Sequence, residues 1–292
     1  MDKKQRDEKP KNRVFKEARP RKVFAQHWLQ DDRVLGKIIG AAQLEAEDRI
    51  LEIGPGTGIL TKRLLQEVRS LVAVEVDRDL CKKLVKSLRD KKNFLLLQGD
   101  FLTLDLDGNL VSFAAFQNPN KVVANIPYNI TGPIIEKLLG KISQPNSNPY
   151  DSIVLLIQKE VAQRLVAKPG TKAFGALSVR VQYLAEGEII CNVPAKAFYP
   201  PPKVESAVVR LTPRSIDIPA NNPRYLETLV KLGFGAKRKM LRNNLQSIVE
   251  RDKFTQLLEE LDINPQARGE DLSVAQWVTL ANRLGSGKMS NE

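Results

Sequence analysis

Asn125-Ile126-Pro127-Tyr128 is the stretch of this chain best suited to chemistry on a nitrogen. An amine conjugated to an aromatic ring, such as N6 of adenine, is a poor nucleophile because its lone pair is delocalised into the ring. Two acceptors holding its N–H bonds, the side-chain oxygen of Asn125 and the carbonyl of Ile126, would pull that nitrogen toward pyramidal geometry and aim the lone pair. No strong base is needed to start such an attack. Tyr128 offers a ring on which a base taken out of its helix can stack, and Pro127 stiffens the turn that presents it. Alone, the motif is also an ordinary turn, so its meaning depends on what stands beside it.

Gly54-Pro55-Gly56-Thr57-Gly58 follows an apolar run and opens a helical period, a place where backbone approaches a ligand closely and helix N–H groups point outward. The dinucleotide fingerprint asks for glycine at its sixth position, where this chain has Ile59, and no Gly-Lys-Ser/Thr is present. That weakens an NAD or FAD reading and removes the P-loop, leaving a small-molecule turn or a purely structural one. Glu75, with Val76 beside it, comes about 20 residues on, where a carboxylate accepts hydrogen bonds from ribose hydroxyls. Asp100 ends the next strand, where it can read an exocyclic amino group while Phe101 lies along a purine face. Either carboxylate alone also reads as a solvated strand end; the two in succession outline an adenosine without a pyrophosphate. Next to an aimed amine, that adenosine is expected to be S-adenosylmethionine, whose sulfonium supplies the methyl group. The protein's task is then in-line placement in dry surroundings.

These residues need a scaffold that brings strand ends together. Apolar runs at Arg49–Ile53, 71–76, 94–97, 122–124 and 153–157 read as buried strands, and they alternate with helical periods at 59–69, 80–88 and from near Gly132 and Lys159. Strand–helix alternation predicts βαβ units with right-handed crossovers and a parallel sheet buried on both faces. Ligands in such sheets bind beyond the carboxyl ends of the strands. Residues 177–211 read differently: Val179, Val181 and Tyr183 alternate, then come Glu188-Ile189-Ile190 and Ala207–Leu211, which predicts an antiparallel edge joined by turns. Pro213 and the stretch from Pro219 to Pro223 mark a linker, and the remainder to Leu284 is helical in period. The expected organisation is a basic arm over residues 1–22, an α/β domain over 23–213 and a small all-α domain over 214–292.

Composition narrows the partners. Lys+Arg 46 against Asp+Glu 34 leaves a formal +12, an excess that favours nucleic acid first and anionic membrane second. Much of the excess lies in residues 1–22, too poor in apolar side chains to offset the cost of ordering, which predicts a mobile basic arm. No apolar run approaches the roughly 18 residues that span a bilayer and no signal-peptide core is present, so a cytoplasmic protein is expected. Cys81 and Cys191 are far apart and His27 is the single histidine, which leaves no disulfide framework and no expected metal site.

The chain resembles the ribosomal small-subunit adenine N6,N6-dimethyltransferases, the kasugamycin-sensitivity enzymes, from Arg21 to Leu284. The matching pieces are 22–29, 52–58, Glu75-Val76-Asp77, Gly99-Asp100, 125–130, 198–206 and 237–245. The resemblance implies a class I methyltransferase sheet with a helical C-terminal domain. It also implies two adjacent adenosines near the 3′ end of small-subunit (16S) rRNA as substrate, each receiving two methyl groups within a partly assembled subunit. Carried over by position, Gln26, His27 and Leu29 cover the cofactor, Gly54 and Gly56 approach its methionine portion, Glu75 takes the ribose, Asp100 the adenine and Asn125 the target amine. In the family the ring at Phe198, ahead of three prolines, closes on the target base from the face opposite Tyr128; a core phenylalanine is the alternative. The family commonly has asparagine where His27 stands and phenylalanine where Trp28 stands. A histidine nitrogen can replace an amide as donor or acceptor.

Leu241, Leu245 and Ile248 share one face of a predicted helix, which turns Lys239 away and puts Arg242 at its flank. With Lys237 and Arg238 they form a basic ridge suited to RNA phosphates, or a merely solvated face. A monomer that recognises RNA shape plus one or two extruded bases is expected. The rivals are the macrolide-resistance type of large-subunit rRNA methyltransferase and a catalytically silent, methyltransferase-like RNA-binding assembly factor.

Overall fold

The apolar runs from Arg49 onward form the parallel sheet that their spacing predicts. The computed structural model describes residues 26–215 and 218–286, so the expected basic arm lies outside the described residues. In chain order, β1 (Trp28–Leu29) leads into α1 (Asp32–Ala42), β2 (Arg49–Ile53), α2 (Ile59–Leu64), β3 (Ser70–Glu75), α3 (Arg78–Leu88), β4 (Phe94–Gln98) and α4 (Leu106–Leu110). There follow β5 (Lys121–Asn125), α5 (Thr131–Leu139), a short hairpin β6 (Gly140–Lys141) and β7 (Gln144–Pro145), β8 (Ser152–Gln158), α6 (Lys159–Leu165) and α7 (Ala176–Leu184). The sheet is completed by β9 (Ala185–Val193) and β11 (Ser206–Pro213), with β10 (Phe198–Tyr199) pairing instead with β1. Four helices close the described chain: α8 (Pro223–Gly233), α9 (Leu241–Asn244), α10 (Arg251–Glu260) and α11 (Val274–Ser286).

Seven strands lie in the order β4-β3-β2-β5-β8-β11-β9. The first five are parallel, and β11 runs antiparallel to both β8 and β9, which supplies the expected antiparallel element. Alternate residues feed two cores: in β8, Ile153, Leu155 and Ile157 join one and Val154 and Leu156 the other, and Val122 and Val123 divide the same way. The first core takes in α5, α7 and the C-terminal helices through Leu226, Leu241 and Trp277. Helices α1, α2 and α3 cover the second face through Ile38, Leu64 and Leu84.

Three expectations are corrected. Residues 177–183 form helix α7, not a strand. Val179, Val181 and Tyr183 are all buried, so the helix is enclosed on more than one side and its apolar residues recur at a strand-like interval. Ser178, fully buried, settles the geometry: its hydroxyl donates to the Arg164 carbonyl and accepts from Gly175 N–H, tying α7 to the end of α6. Helix α2 stops at Leu64 instead of reaching Arg69, because the Asn93 amide takes the Leu65 and Val68 carbonyls. The basic ridge does not sit on one continuous helix: α9 is four residues long and Lys237–Lys239 precede it in turns, although Leu241 and Leu245 are buried as expected.

Candidate active site

Parallel strands put all their carboxyl ends on one edge, and there the loops after β2, β3, β4 and β5 surround a cavity of about 250 Å³. Gln26, His27 and Leu29 line it from β1 and the residues before it. Gly54 and Gly56 line it from the first loop, Glu75 and Val76 from the second, Asp100 and Phe101 from the third, and Asn125, Ile126 and Tyr128 from the fourth. Of the residues expected at the catalytic and cofactor site, Phe198 is the one the structure places elsewhere.

The glycine turn is held in the left-handed region, with φ of +67° at Gly54, +58° at Gly56 and +77° at Gly58. At Gly58 a Cβ would stand 2.7 Å from Leu84 Cδ2, so this glycine lets α2 pack on α3. At Gly56 a Cβ would sit 3.5 Å from the Trp28 ring, which closes the turn from above. Glu75, 4% exposed, fixes the turn from below: its Oε2 accepts Gly56 N–H at 3.0 Å and its Oε1 accepts Asp77 N–H at 2.9 Å. Asp77 caps α3 through Asp79 N–H and accepts from the Gln26 amide at 3.2 Å. One carboxylate chain thus links the glycine loop, the start of α3 and the segment over the cavity.

Burial dominates the electrostatics. Glu52, 1% exposed at the cavity wall, has its carboxyl pushed up to about 8 by burial, with the neighbouring Glu75 carboxylate adding to the effect. Glu75 is raised as well, again by burial first, although the N–H groups of Asp77 and Gly56 oppose it. Glu52 Oε2 and Trp28 Nε1 are buried polar atoms with no hydrogen-bond partner.

Around Asn125 the amide has a defined orientation. Its Nδ2 donates to the His27 carbonyl at 3.2 Å, so the opposite end of the amide, Oδ1, is left to accept. The Tyr128 ring lies near-parallel to the His27 imidazole, centroids 5.7 Å apart and planes 22° off, and its hydroxyl is hydrogen-bonded to Ser206 Oγ at 2.5 Å. His27 Nδ1 is 2.7 Å from the Pro200 carbonyl, which requires Nδ1 to be the donor. Burial raises the Tyr128 hydroxyl above its usual value.

Strand alternation takes Phe198 away from the expected position. In the β1–β10 ribbon Leu29 faces Phe198 and Trp28 faces Tyr199, and directly opposed residues share a face. Leu29 and Phe198, 3% exposed each, enter the core, whereas Trp28 packs on Gly56 and Tyr199 is 54% exposed. The aromatic ring this ribbon shows to solvent is Tyr199. Trp28 and Glu52 line the cavity although sequence reasoning assigns them no role; their signal is adjacency to the two motifs. Ser206, the partner of Tyr128, closes the 198–206 piece and gives no chemical signal of its own.

Among the basic residues, Lys237, Arg238 and Lys239 are exposed and Arg242 is half-buried. Lys237 Nζ donates to the Lys172 carbonyl at 2.8 Å, and the Arg242 Nε is buried with no hydrogen-bond partner. No group of His, Cys, Asp and Glu residues suited to a metal ion occurs among the described residues. No described helix is long and apolar enough to cross a membrane.

Comparison with known proteins gives this geometry a family. The chain is 73% identical to the ribosomal RNA small subunit methyltransferase A of Nostoc sp. (strain PCC 7120) over 268 residues, 92% of this chain and 99% of that protein. Among solved structures, a dimethyladenosine transferase from Plasmodium falciparum superposes with a TM-score of 0.74 at 27% identity, covering 89% of this chain and 98% of that one. The 23S rRNA methyltransferase ErmE superposes with a TM-score of 0.70 at 26% identity, covering 88% and 99%. Both likenesses extend through the sheet and the C-terminal helices, which makes the fold that of a class I methyltransferase with a helical C-terminal region. The family model described as ribosomal RNA adenine dimethylase matches residues 17–286, and the chain belongs to that family.

Proposed function

We propose that this chain transfers methyl groups from S-adenosylmethionine to N6 of two adjacent adenosines in the hairpin loop near the 3′ end of small-subunit rRNA, giving N6,N6-dimethyladenosines. The observation that carries the reading is the fixed Asn125 amide: with Nδ2 committed to the His27 carbonyl, Oδ1 accepts from the target amine. The residues present fit the cofactor. A cavity bounded by a glycine turn, with two orphaned buried polar atoms at its wall, Trp28 Nε1 and Glu52 Oε2, suits a ligand with polar groups at one end. When bound, S-adenosylmethionine supplies the electrophilic methyl group.

The chain does the rest. Glu75 accepts from ribose hydroxyls with the lone pairs that Gly56 and Asp77 leave over, Asp100 accepts from the adenine amino group, and Phe101 packs on the ring. Gln26, His27 and Leu29 cover the ligand. Asn125 Oδ1 and the Ile126 carbonyl hold the target amine, and Tyr128, its hydroxyl pinned by Ser206, presents a ring for the extruded base. Lys237, Arg238, Lys239 and Arg242 contact phosphates; residues 231–242 contain no Asp or Glu to oppose them. The acceptor is the partly assembled small subunit, met by a monomer in the cytoplasm, with residues 23–213 and 214–292 as catalytic and RNA-contacting domains.

Relatives carrying the small-subunit name include proteins 73% and 54% identical to this chain, against 26% for the 23S rRNA methyltransferase, which does not favour the large-subunit reading. The test is labelled methyl transfer to unmethylated small subunits, naked rRNA and large subunits. Asn125→Ala should lower turnover by roughly 100-fold or more, the scale for losing one preorganised transition-state contact, while calorimetric binding of S-adenosylhomocysteine changes little. Label in large subunits alone, or full turnover by the variant, would sink the assignment or the aiming role respectively.

A further inference from the structure

Helix α5 begins just after the Asn125–Tyr128 turn, and one of its side chains reaches back to the neighbouring loop. Lys137 Nζ donates to three carbonyls, those of Phe101 at 2.6 Å, Leu102 at 3.2 Å and Leu104 at 2.8 Å. It also lies 5.0 Å from the centroid of the Phe101 ring. The loop so gathered is the turn that starts at Asp100, whose Oδ1 accepts Leu102 N–H at 2.9 Å while its carbonyl accepts Leu104 N–H at 2.8 Å. Asp100 and Phe101 both line the cavity, and Phe101 is 5% exposed.

Three carbonyl dipoles pointing at one spot repel each other unless a cation stands there, and an ammonium with three donors matches the need. We propose that Lys137 is a positioning residue for the adenine half of the cofactor site, acting through the Asp100–Leu104 turn without touching the ligand. The inference rests on the cofactor reading above. The ammonium replaces part of its hydration with these carbonyls, and burial shifts its proton affinity downward even though Asp100 and Asp105 pull the other way. Electrostatics at this position are otherwise local: the adjacent Glu136 is engaged by Arg180 of α7 and by Lys141, leaving Lys137 to the loop.

The test measures calorimetric affinity for S-adenosylhomocysteine and for 5′-methylthioadenosine, which carries the adenosine without the amino-acid chain. Lys137→Met keeps the methylene stem and removes the charge. It should weaken both ligands by about tenfold, the equivalent of one charge-assisted hydrogen bond, with the thermal midpoint nearly unchanged. Lys137→Arg should recover most of that loss, and Lys137→Gln, which retains a polar but neutral group, should behave like the methionine variant. In turnover, KM for S-adenosylmethionine should rise by the same factor while kcat at saturation stays within about twofold. Wild-type affinities in both neutral variants would overturn the role of Lys137 alone. Failure of the wild-type chain to bind either adenosine ligand would overturn the cofactor reading and this inference with it.

Discussion

Glu52→Gln is the perturbation whose size follows most directly from the structure. The folded chain keeps a proton on Glu52 up to about pH 8, whereas the unfolded chain releases it near the usual 4.5. Between these values folding takes up a proton, so stability falls as pH rises, by up to about 1.4 kcal/mol per pH unit. From about pH 5 to about pH 8 the loss accumulates to roughly 4 kcal/mol, a large part of the roughly 5–15 kcal/mol that holds a typical domain together. Glutamine has nearly the same shape and nothing to release. Urea unfolding of the ligand-free chain at several pH values should therefore show the glutamine variant declining less steeply and gaining most over wild type at the alkaline end. Glu75 is raised too and contributes a slope of the same sign, so the difference between the two proteins, not the wild-type slope, isolates Glu52. Parallel stability curves for the two would refute a neutral, buried Glu52.

Other expectations concern RNA and the far end of the sheet. Tyr199→Ala should raise KM for small subunits by about tenfold, near the lower half of the roughly 1–3 kcal/mol range for a base stacked on an aromatic ring, with cofactor affinity unchanged; equal KM values would remove Tyr199 from the interface. Phe198→Ala should instead lower stability by roughly 3–5 kcal/mol as a core truncation, measurable by urea unfolding, and a wild-type midpoint would contradict its burial. Lys239→Glu with Arg242→Glu should weaken subunit binding and flatten its salt dependence, and an unaltered salt slope would place the phosphate contacts elsewhere. Lys121→Met should cost about 3–5 kcal/mol, because it strands the Asp48 carboxylate that Lys121 Nζ meets at 2.8 Å with both side chains nearly enclosed; a loss under about 1 kcal/mol would show that water reaches the pair.

The parallel strands were legible because strands covered on both faces are apolar without interruption, as Ile153–Ile157 are, and because β2, β3, β4 and β5 each end at or next to a residue with chemistry to offer. The glycine turn, Glu75, Asp100 and Asn125 could be placed around one cavity for the same reason: strand polarity alone puts them on one edge. What escaped depends on partners distant along the chain. Helix α7 reads as a strand because Val179, Val181 and Tyr183 recur at an interval of two, and only the contact of Ser178 with Arg164 shows which geometry the backbone adopts. Whether Phe198 or Tyr199 turns outward is decided by pairing with Trp28 and Leu29, about which local composition is silent. Lys137 carries no motif, and its three carbonyls lie 33 to 36 residues before it. The length of α2 is set by Asn93, whose amide competes for carbonyls that a longer helix would have used.

The pairing of β1 with β10 also orders events in time. Trp28 and His27 stand ahead of the sheet in the chain, yet the Tyr199 backbone and the Pro200 carbonyl that anchor them are synthesised long after the cavity's other walls, Pro200 lying 173 residues beyond His27. A nascent chain whose β10 is still inside the exit tunnel already has Asp77, Asn125 and Tyr128 to hold Gln26 and His27, but it lacks the strand partner of Trp28 and the Pro200 carbonyl that accepts from His27 Nδ1. The roof over the cavity is therefore complete only once residues 198–200 have joined the walls laid down before residue 131.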